Sequence, residues 1–289
     1  MKGLILAGGN GTRLQPLTLG MSKQLLPIFD KPMIYHPLST LMLANIRDIQ
    51  IIIKEEHLGI YKKLFQDGSH LGLNISYAIQ NEPRGLAEAF IICKDFIGND
   101  SSCLVLGDNI FFGHDLQDNL IQSSKLEEGA IIYAYAVNDP SQFGVVEFDE
   151  NFSAISIEEK PENPRSIYAV TGIYFYDNLV VDFARDVKPS ERGELEITSI
   201  NQAYLNQKRL NVQLLGRGMT WLDAGTHESL LEASHFVSTI ERRQGMKIAC
   251  LEEIAWRKGW ISDEDLEVIS LKMGDSFYSS YLSKLLLQK

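Results

Sequence analysis

Short apolar runs rich in β-branched residues alternate with segments of helical spacing through the first two-thirds of the chain. Helical spacing is clear over residues 33–44 and 86–96. This alternation predicts βαβ units, and therefore an α/β fold with a doubly wound, mostly parallel sheet. Ligands of such sheets bind beyond the carboxyl ends of the strands. The predicted strands of this region are residues 3–7, 48–54, 75–79 and 102–106.

A glycine-rich turn follows the first predicted strand. Residues 8–13 read GGNGTR, and glycines let backbone N–H groups approach anionic oxygens closely. The turn is neither a P-loop, which ends in Gly-Lys-Ser/Thr, nor a dinucleotide fingerprint, which has a glycine where Leu14 stands. Arg13 and Lys23 add two cations to this region, and a guanidinium offers forked donors to phosphate. The turn is a candidate phosphate-binding loop; a ligand-free turn beside two solvated cations is the alternative.

Two aspartates stand where predicted strands end. Asp108 follows residues 102–106, and Asp223 follows an apolar run that ends in Leu222. Carboxylates at a sheet edge suit Mg²⁺, which binds through one or two carboxylates together with phosphate oxygens. Two structural roles remain open. Asp108 could begin an Asp-Asn turn, and Asp223 could cap a helix that starts near His227.

Charge and cysteine content exclude several classes of function. The chain has 289 residues, and 38 acidic against 27 basic side chains leave a net charge of −11. Nucleic-acid and anionic-membrane partners are therefore not expected, since both attract clustered cations. The three cysteines form no CxxC pair, which predicts neither a zinc site nor a disulfide framework and suits a reducing cytoplasm. The apolar N-terminus is too short for a signal peptide or a membrane span.

A longer motif carries a family resemblance. Residues 6–18 read LAGGNGTRLQPLT, residues 22–27 read SKQLLP and residues 30–39 read DKPMIYHPLS. This pattern resembles the signature of the sugar-phosphate nucleotidyltransferases, and the match runs nearly end to end. The resemblance implies transfer of a thymidylyl group from dTTP to glucose 1-phosphate with Mg²⁺ as cofactor and pyrophosphate as leaving group. It also implies a first step in deoxysugar synthesis of the dTDP-rhamnose type.

The resemblance assigns roles to individual residues. Asp108 and Asp223 hold the metal, and they act in catalysis with Arg13, Lys23 and Lys160. The residues implied in nucleotide binding are Leu6, Gly8, Gly9, Gly11, Thr12, Arg13, Gln24, Gln80, Gly85 and Asp108. The residues implied in sugar-phosphate binding are Asn109, Gly144, Glu159, Lys160, Val170, Tyr174 and Trp221.

The chemistry of three of these side chains fits the assigned roles. The Glu159 carboxylate can accept from sugar hydroxyls, the Lys160 ammonium can hold a phosphate, and the Gln80 amide can pair with the thymine edge. Outside the resemblance, Glu159 and Lys160 would form an ordinary charged turn. Glu194 and Glu196 are either sugar contacts or surface charges.

Arg84 departs from the commonest family pattern, in which an aspartate stands between the proline and the glycine of this loop. The departure puts base selectivity in question, not the reaction class. A sister enzyme that uses UTP, CTP or GTP is therefore one alternative function. A nucleotide-sugar-binding regulator without turnover is another.

The patterns also divide the chain. Longer alternating strands begin near residue 130. Helical spacing dominates beyond His227 and predicts helices over residues 229–243, 251–258 and 263–287. We expect a catalytic domain over 1–226, with a nucleotide half at about 1–129 and a sugar-binding half at about 130–226. Together these predict an α/β fold with a mostly parallel, Rossmann-like mixed sheet, a sugar-binding β extension and a helical segment over 227–289. The aromatic residues of that segment need the main domain or another subunit to cover them.

The resemblance further implies a homotetramer in which a dTDP-sugar inhibits from a second site near a subunit interface, with the helical segment serving oligomerisation or regulation. The alternative for His114 is a histidine that is simply exposed, and the alternative for Arg217 is an ordinary surface charge. Its implied residues are Gly113, His114, Arg217, Ala249, Cys250, Glu253 and Ile254.

Overall fold

A nine-stranded mixed sheet forms the centre of the computed structural model, which describes residues 1–287. Its path runs β10-β9-β11-β6-β1-β4-β5, and β8 joins β11 to β12. Neighbours within β6-β1-β4-β5 are parallel, as the alternation predicted, whereas β11 is antiparallel to β6, β8 and β9. The strands of the sheet are β1 (Lys2–Leu6), β4 (Asp48–Ile53), β5 (Asn74–Ile79), β6 (Ser102–Leu106), β8 (Ala130–Ala136), β9 (Gly144–Phe148), β10 (Ala154–Glu159), β11 (Tyr168–Tyr176) and β12 (Leu210–Leu215).

Helices cover both faces of this sheet. Adjacent strand residues point to opposite faces, so Leu4 and Ile5 are both buried but belong to different apolar clusters. One cluster packs against α1, α2, α9 and α11, and the other packs against α3, α6 and α7. The helices up to the end of the sheet are α1 (Tyr35–Leu43), α2 (Leu58–Phe65), α3 (Glu88–Ile92), α4 (Lys94–Ile97), α5 (Leu116–Ser123), α6 (Val180–Asp186) and α7 (Ile197–Asn206).

Two short ribbons complete the β structure. The hairpin of β2 (Pro27–Ile28) and β3 (Lys31–Pro32) follows the glycine-rich turn. The second ribbon pairs β7 (Asn109–Phe112) with β13 (Thr220–Asp223) in antiparallel register. Asp223 lies opposite Asn109, so this ribbon brings the segment that follows β6 next to a residue more than a hundred positions later.

The C-terminal part is helical, as expected, but it contains one more break than the pattern indicated. Helical spacing over 263–287 predicted a continuous helix, whereas the structure has two helices separated by a turn in which Gly274 has a φ of 64°. Glycine adopts this left-handed backbone without a steric penalty, which explains the break. The last two residues of the expected segment 227–289 lie outside the described residues. The helices are α8 (His227–Gln244), α9 (Leu251–Arg257), α10 (Asp263–Lys272) and α11 (Phe277–Leu287).

The main domain covers most of the aromatic rings of this segment. Trp256, Trp260, Tyr278 and Tyr281 pack against the apolar cluster that includes residues of β1, β4 and α1. The Arg47 guanidinium lies 5.3 Å from the ring centroid of Trp260. Phe277, in contrast, is 96% exposed. Burial of these rings thus does not by itself call for a second subunit. Within residues 1–287, no helix combines the length and apolar character that crossing a membrane requires.

Candidate active site

A cavity of about 540 Å³ opens beyond the carboxyl ends of β1 and β6. Its wall combines residues from both predicted halves of the catalytic domain. This is the position that the doubly wound topology predicts for a ligand. The predicted site residues that line it are Arg13, Asp108, Asn109, Gly144, Glu159, Lys160, Val170, Tyr174, Trp221 and Asp223.

Asp108 and Lys23 form an ion pair at the inner end of this cavity. The Lys23 ammonium lies 2.5 Å from Asp108 Oδ2. Burial disfavours the charged form of Asp108, but the lysine and the Asn109 amide outweigh that effect and hold the pKa of the carboxyl below its usual value. Asp108 therefore stays ionised although it is enclosed. Lys23 is brought to it by a 3₁₀ turn over Lys23–Leu25.

Asp223 presents the opposite electrostatic situation. Burial and the neighbouring Asp108 charge raise the pKa of its carboxyl to about 6, although Lys23, Arg13 and Lys160 each act against that rise. Its Oδ1 is buried and has no hydrogen-bond partner among residues 1–287. Enclosed like charges with an unpartnered oxygen are the donor set that a divalent cation satisfies. The residues therefore fit the implied Mg²⁺, with Asp108 and Asp223 as its protein ligands. In the described part of the chain, no group of three or more His, Cys, Asp or Glu side chains is placed to hold a metal ion.

The glycine-rich turn lies beside these carboxylates. A Cβ on Gly225 would be 3.0 Å both from Arg13 Nη2 and from Asp223 Oδ1, so the guanidinium and the carboxylate meet at that glycine. A Cβ on Gly9, in contrast, would meet nothing within 4 Å. Gly11 adopts a left-handed backbone with a φ of 59°. The turn thus presents open backbone next to Arg13, as a phosphate-binding loop requires.

The remaining predicted nucleotide residues do not line the cavity. Leu6 accepts a hydrogen bond from the Gly107 amide, and a Cβ on Gly107 would be 2.8 Å from the Gln24 side chain. A Cβ on Gly8 would be 2.7 Å from Gln80 Oε1, so Gly8 is where that amide approaches the loop. The predicted nucleotide residues that do not line the cavity are Leu6, Gly8, Gly9, Gly11, Thr12, Gln24, Gln80 and Gly85.

Gly85 has a structural reason to be glycine. Its φ is 120°, and a Cβ there would lie 2.4 Å from the Leu195 backbone nitrogen. Leu195 also donates to the Arg84 carbonyl and accepts from the Ala87 amide. The turn after Gln80 is consequently fastened to the sugar-binding half, which the sequence did not indicate.

Asn109 connects two parts of the cavity wall. Its Nδ2 donates to Asp108 Oδ1 at 2.8 Å, and its Oδ1 accepts from the Trp221 indole at 2.6 Å. Trp221 packs edge-on against Phe143, with ring centroids 5.0 Å apart. Asn109 therefore orients Asp108 and anchors the aromatic wall at once.

The opposite wall carries Glu159 and Lys160. Thr198 Oγ1 donates to Glu159 Oε2 at 2.5 Å, and Arg192 Nη1 lies 3.6 Å from Glu159 Oε1. Gly144 leaves room here, because a Cβ on it would be 3.2 Å from Thr198 Oγ1. Glu159 is thus a fixed acceptor that faces the cavity beside the Lys160 ammonium.

Sequence reasoning missed several wall residues of this half. Arg192 and Thr198 come from the loop before α7 and from its first turn, and no motif marked them. Glu196, left open as a sugar contact or a surface charge, is a buried wall residue, and burial raises its pKa. The run 190–196, which reads SERGELE, offered only high charge density as a signal. Such density is usually a solvated surface.

The implied regulatory residues lie away from the cavity. A Cβ on Gly113 would lie 2.2 Å from Met219 Sδ, so Gly113 meets the turn between β12 and β13 at the end of the β7–β13 ribbon opposite Asp108. His114 and Arg217 belong to these two segments. Ala249 shares an apolar cluster with Ile110 of the same ribbon. Cys250, Glu253 and Ile254 follow at the start of α9.

The chain is similar to known nucleotidyl transferases. The nucleotidyl transferase family model matches residues 2–240. A glucose-1-phosphate thymidylyltransferase of Neisseria meningitidis is 59% identical over 286 residues, which cover 99% of each chain. A crystallised Bacillus anthracis protein, described as a glucose-1-phosphate thymidylyltransferase in complex with sucrose, superposes with a TM-score of 0.75 at 43% identity over 82% of this chain and 94% of its own.

A more distant solved structure shares the architecture. UDP-glucose pyrophosphorylase complexed with UDP-glucose has a TM-score of 0.73 at 25% identity, and the match covers 83% of this chain and 98% of the other. The family model spans the glycine-rich turn and both aspartates, so it includes the residues that the cavity brings together. The chain belongs to the nucleotidyl transferase family.

Proposed function

We propose that this chain transfers a thymidylyl group from dTTP to α-D-glucose 1-phosphate and releases pyrophosphate. One observation carries the proposal: Arg13, Asp108, Lys160 and Asp223 line one cavity, and Lys23 is bonded to Asp108. Three cations and two carboxylates are thereby assembled where a triphosphate and a sugar phosphate can meet. The relative from Neisseria meningitidis carries the name of this activity.

The chemistry is an in-line displacement at the α-phosphorus of dTTP. A phosphate oxygen of glucose 1-phosphate forms the new bond, the bond to the oxygen that bridges to the β-phosphorus breaks, and pyrophosphate leaves with that electron pair. Arg13 and Lys23 screen the developing negative charge, while Lys160 holds the attacking phosphate. Mg²⁺ on Asp108 and Asp223 would supply charge neutralisation on the triphosphate. No side chain forms a covalent intermediate.

A direct assay tests this function. The enzyme, Mg²⁺, dTTP and glucose 1-phosphate are mixed, and pyrophosphate is followed. We expect release that depends on all four components. The absence of release with dTTP, UTP, CTP and GTP alike would reject the reaction class, and nucleotide binding without turnover would favour a regulator. Faster release with another triphosphate would favour a sister enzyme; the shared architecture with UDP-glucose pyrophosphorylase makes UTP the first competitor to test.

Replacing Lys160 should weaken binding of the sugar phosphate specifically. Lys160→Ala removes the cation that faces that phosphate, and a hydrogen bond to a charged group contributes enough that KM for glucose 1-phosphate should rise about tenfold to a hundredfold. KM for dTTP should change little. Lys208→Ala is a matched control, because both lysines are exposed and have positive φ, 44° and 58°. Equal effects of the two variants on KM would contradict the role of Lys160.

Assembly, regulation and location form a second part of the proposal. A homotetramer with feedback by a dTDP-sugar would place the second ligand near Gly113, Arg217 and Ala249, and the contact between Gly113 and Met219 supports a shared location for the first two. A cytoplasmic location is supported by three free, buried cysteines. The molar mass in solution and inhibition by dTDP-sugars would test the assembly and the feedback.

A further inference from the structure

The base end of the site contains a buried carboxylate that the reaction does not use. Glu88, at the start of α3, is 3% exposed. Its Oε1 accepts from Arg84 Nε at 2.7 Å and from Arg84 Nη2 at 2.5 Å. Its Oε2 accepts from Gln80 Nε2 at 2.8 Å and from the Arg84 amide at 3.3 Å. Two nitrogens of the Arg84 guanidinium thus contact one carboxylate oxygen of Glu88, and the other carboxylate oxygen accepts a hydrogen bond from Gln80.

This arrangement fixes which end of the Gln80 amide faces outward. An ionised carboxylate can only accept hydrogen bonds, whereas a glutamine has one donating and one accepting end. Gln80 must therefore turn its NH₂ group to Glu88 and its oxygen away from it. That oxygen lies next to Gly8, on the side away from Glu88. Gln80 is itself 3% exposed, so the opposite orientation would bury an oxygen against a carboxylate.

We propose that Glu88, held by Arg84, is a positioning residue that locks Gln80 as an acceptor and so selects pyrimidines that carry an N3–H group. The inference rests on the proposed function, in which Gln80 meets the base. Thymine and uracil donate from N3, whereas cytosine accepts there and would oppose one lone pair with another. The pair therefore excludes dCTP and leaves dUTP unaffected. Arg84, which departs from the commonest family pattern, thereby acquires a role.

Glu88→Gln tests the lock. A neutral amide can donate as well as accept, so Gln80 is free to turn over and meet the N3 acceptor of cytosine. We expect the ratio of kcat/KM for dTTP to that for dCTP to fall at least about tenfold, which is the effect of one hydrogen bond lost or regained. The ratio for dTTP to dUTP should stay constant, since both bases donate from N3. Dissociation constants of dTTP, dUTP and dCTP, measured without sugar phosphate, should show the same pattern.

Asp182→Asn is the matched control. It removes the carboxylate from another helical ion pair, Arg185–Asp182, that lies outside the cavity, and it should leave both ratios unchanged. An unchanged dTTP to dCTP ratio in folded Glu88→Gln would overturn the proposal. The proposal would also be overturned if the wild type did not discriminate against dCTP. It would be overturned as well if Glu88→Gln lowered the dTTP to dCTP ratio and the dTTP to dUTP ratio equally.

If Glu88→Gln does not fold, Arg84→Ala replaces it, because the Arg84 side chain is 68% exposed. Without the two side-chain donors of Arg84, the Glu88 carboxylate is no longer held against Gln80, so the dTTP to dCTP ratio should again fall, and a constant ratio would count against the lock. If the wild type turns over no nucleotide, the proposed reaction fails, and the three dissociation constants still decide the inference.

Discussion

Asp223→Asn is expected to reduce turnover at least about a thousandfold, which corresponds to roughly 4 kcal/mol of transition-state stabilisation. The substitution keeps the size and shape of the side chain but removes the charge next to Asp108. Without that charge, the pair can no longer hold a divalent cation against the triphosphate. Initial rates of pyrophosphate release over a range of Mg²⁺ concentrations measure the effect. Asp118→Asn, on an exposed face of α5, is the control and should retain full activity.

The same variant should be more stable than the wild type in metal-free buffer. Since the folded pKa of Asp223 is raised to about 6 from 3.8, the folded state binds more protons than the unfolded chain between these values. The stability of the wild type therefore falls as pH rises through this window and stays lower above it. Asparagine does not titrate, so the gain in stability of the variant over the wild type should be negligible below pH 4 and complete above pH 7.

Thermal unfolding of both proteins at pH 4 and pH 8 checks this sign. A difference of about 1 kcal/mol shifts Tm by roughly 2–4 °C in a domain of this size, so a rise of a few degrees at pH 8 is expected. A variant that melts below the wild type at pH 8 would contradict the electrostatic account. Preserved turnover of Asp223→Asn would contradict the proposed role of Asp223 in catalysis.

Lys23→Met should lower both stability and turnover. Methionine fills a similar volume, but it leaves Asp108 enclosed next to Asp223 without the ammonium at 2.5 Å. Removal of one partner of a buried ion pair typically costs about 3–5 kcal/mol. Because the lysine holds the pKa of Asp108 below its usual value, this stabilisation is present above about pH 4 and is lost as pH falls through the folded pKa.

Denaturant unfolding at pH 8 and at pH 3.5 separates this effect from lost packing. The destabilisation should be large at pH 8 and should shrink at pH 3.5, whereas lost packing would persist at both. Lys62→Met removes an exposed lysine on α2 and should change neither stability nor rate measurably. A Lys23→Met variant with wild-type kcat/KM would contradict the assigned role of Lys23.

Much of the central sheet could be predicted from local pattern. The expected strand 102–106 coincides with β6, and the strand starting at Gly3 differs from β1 by one residue at each end. The ribbon of β7 and β13 was not anticipated, because each strand has only four residues. The two strands can pair only after β6 and β12, which precede them in the chain, have brought them together. The expected helix 86–96 is divided into α3 and α4 at Cys93.

The sequence identified the candidate residues at the phosphate end of the cavity better than those at the sugar and base ends. Arg13, Asp108 and Asp223 stand close to glycines or at strand ends, and Lys23 lies in the SKQLLP motif, so each of them is marked by a visible sequence pattern. Arg192 and Thr198 have no such mark, and the spacing of Arg84 and Glu88 predicts an ordinary surface ion pair on a helix. This pair lies against Gln80 because the turn between them folds back and is held by two backbone hydrogen bonds to the distant Leu195, which the local pattern does not show.

The sequence by itself determined the type of fold and the chemical inventory, since periodicity, glycines and strand-end carboxylates express short-range steric and hydrogen-bonding preferences. Only the tertiary structure decided which charges share an environment. Lys23 lowers the pKa of Asp108 while Asp108 raises that of Asp223, because packing the β7–β13 ribbon onto the sheet encloses all three groups away from water. Desolvation and Coulomb interactions depend on that enclosure and on distances across the fold, which no local pattern contains.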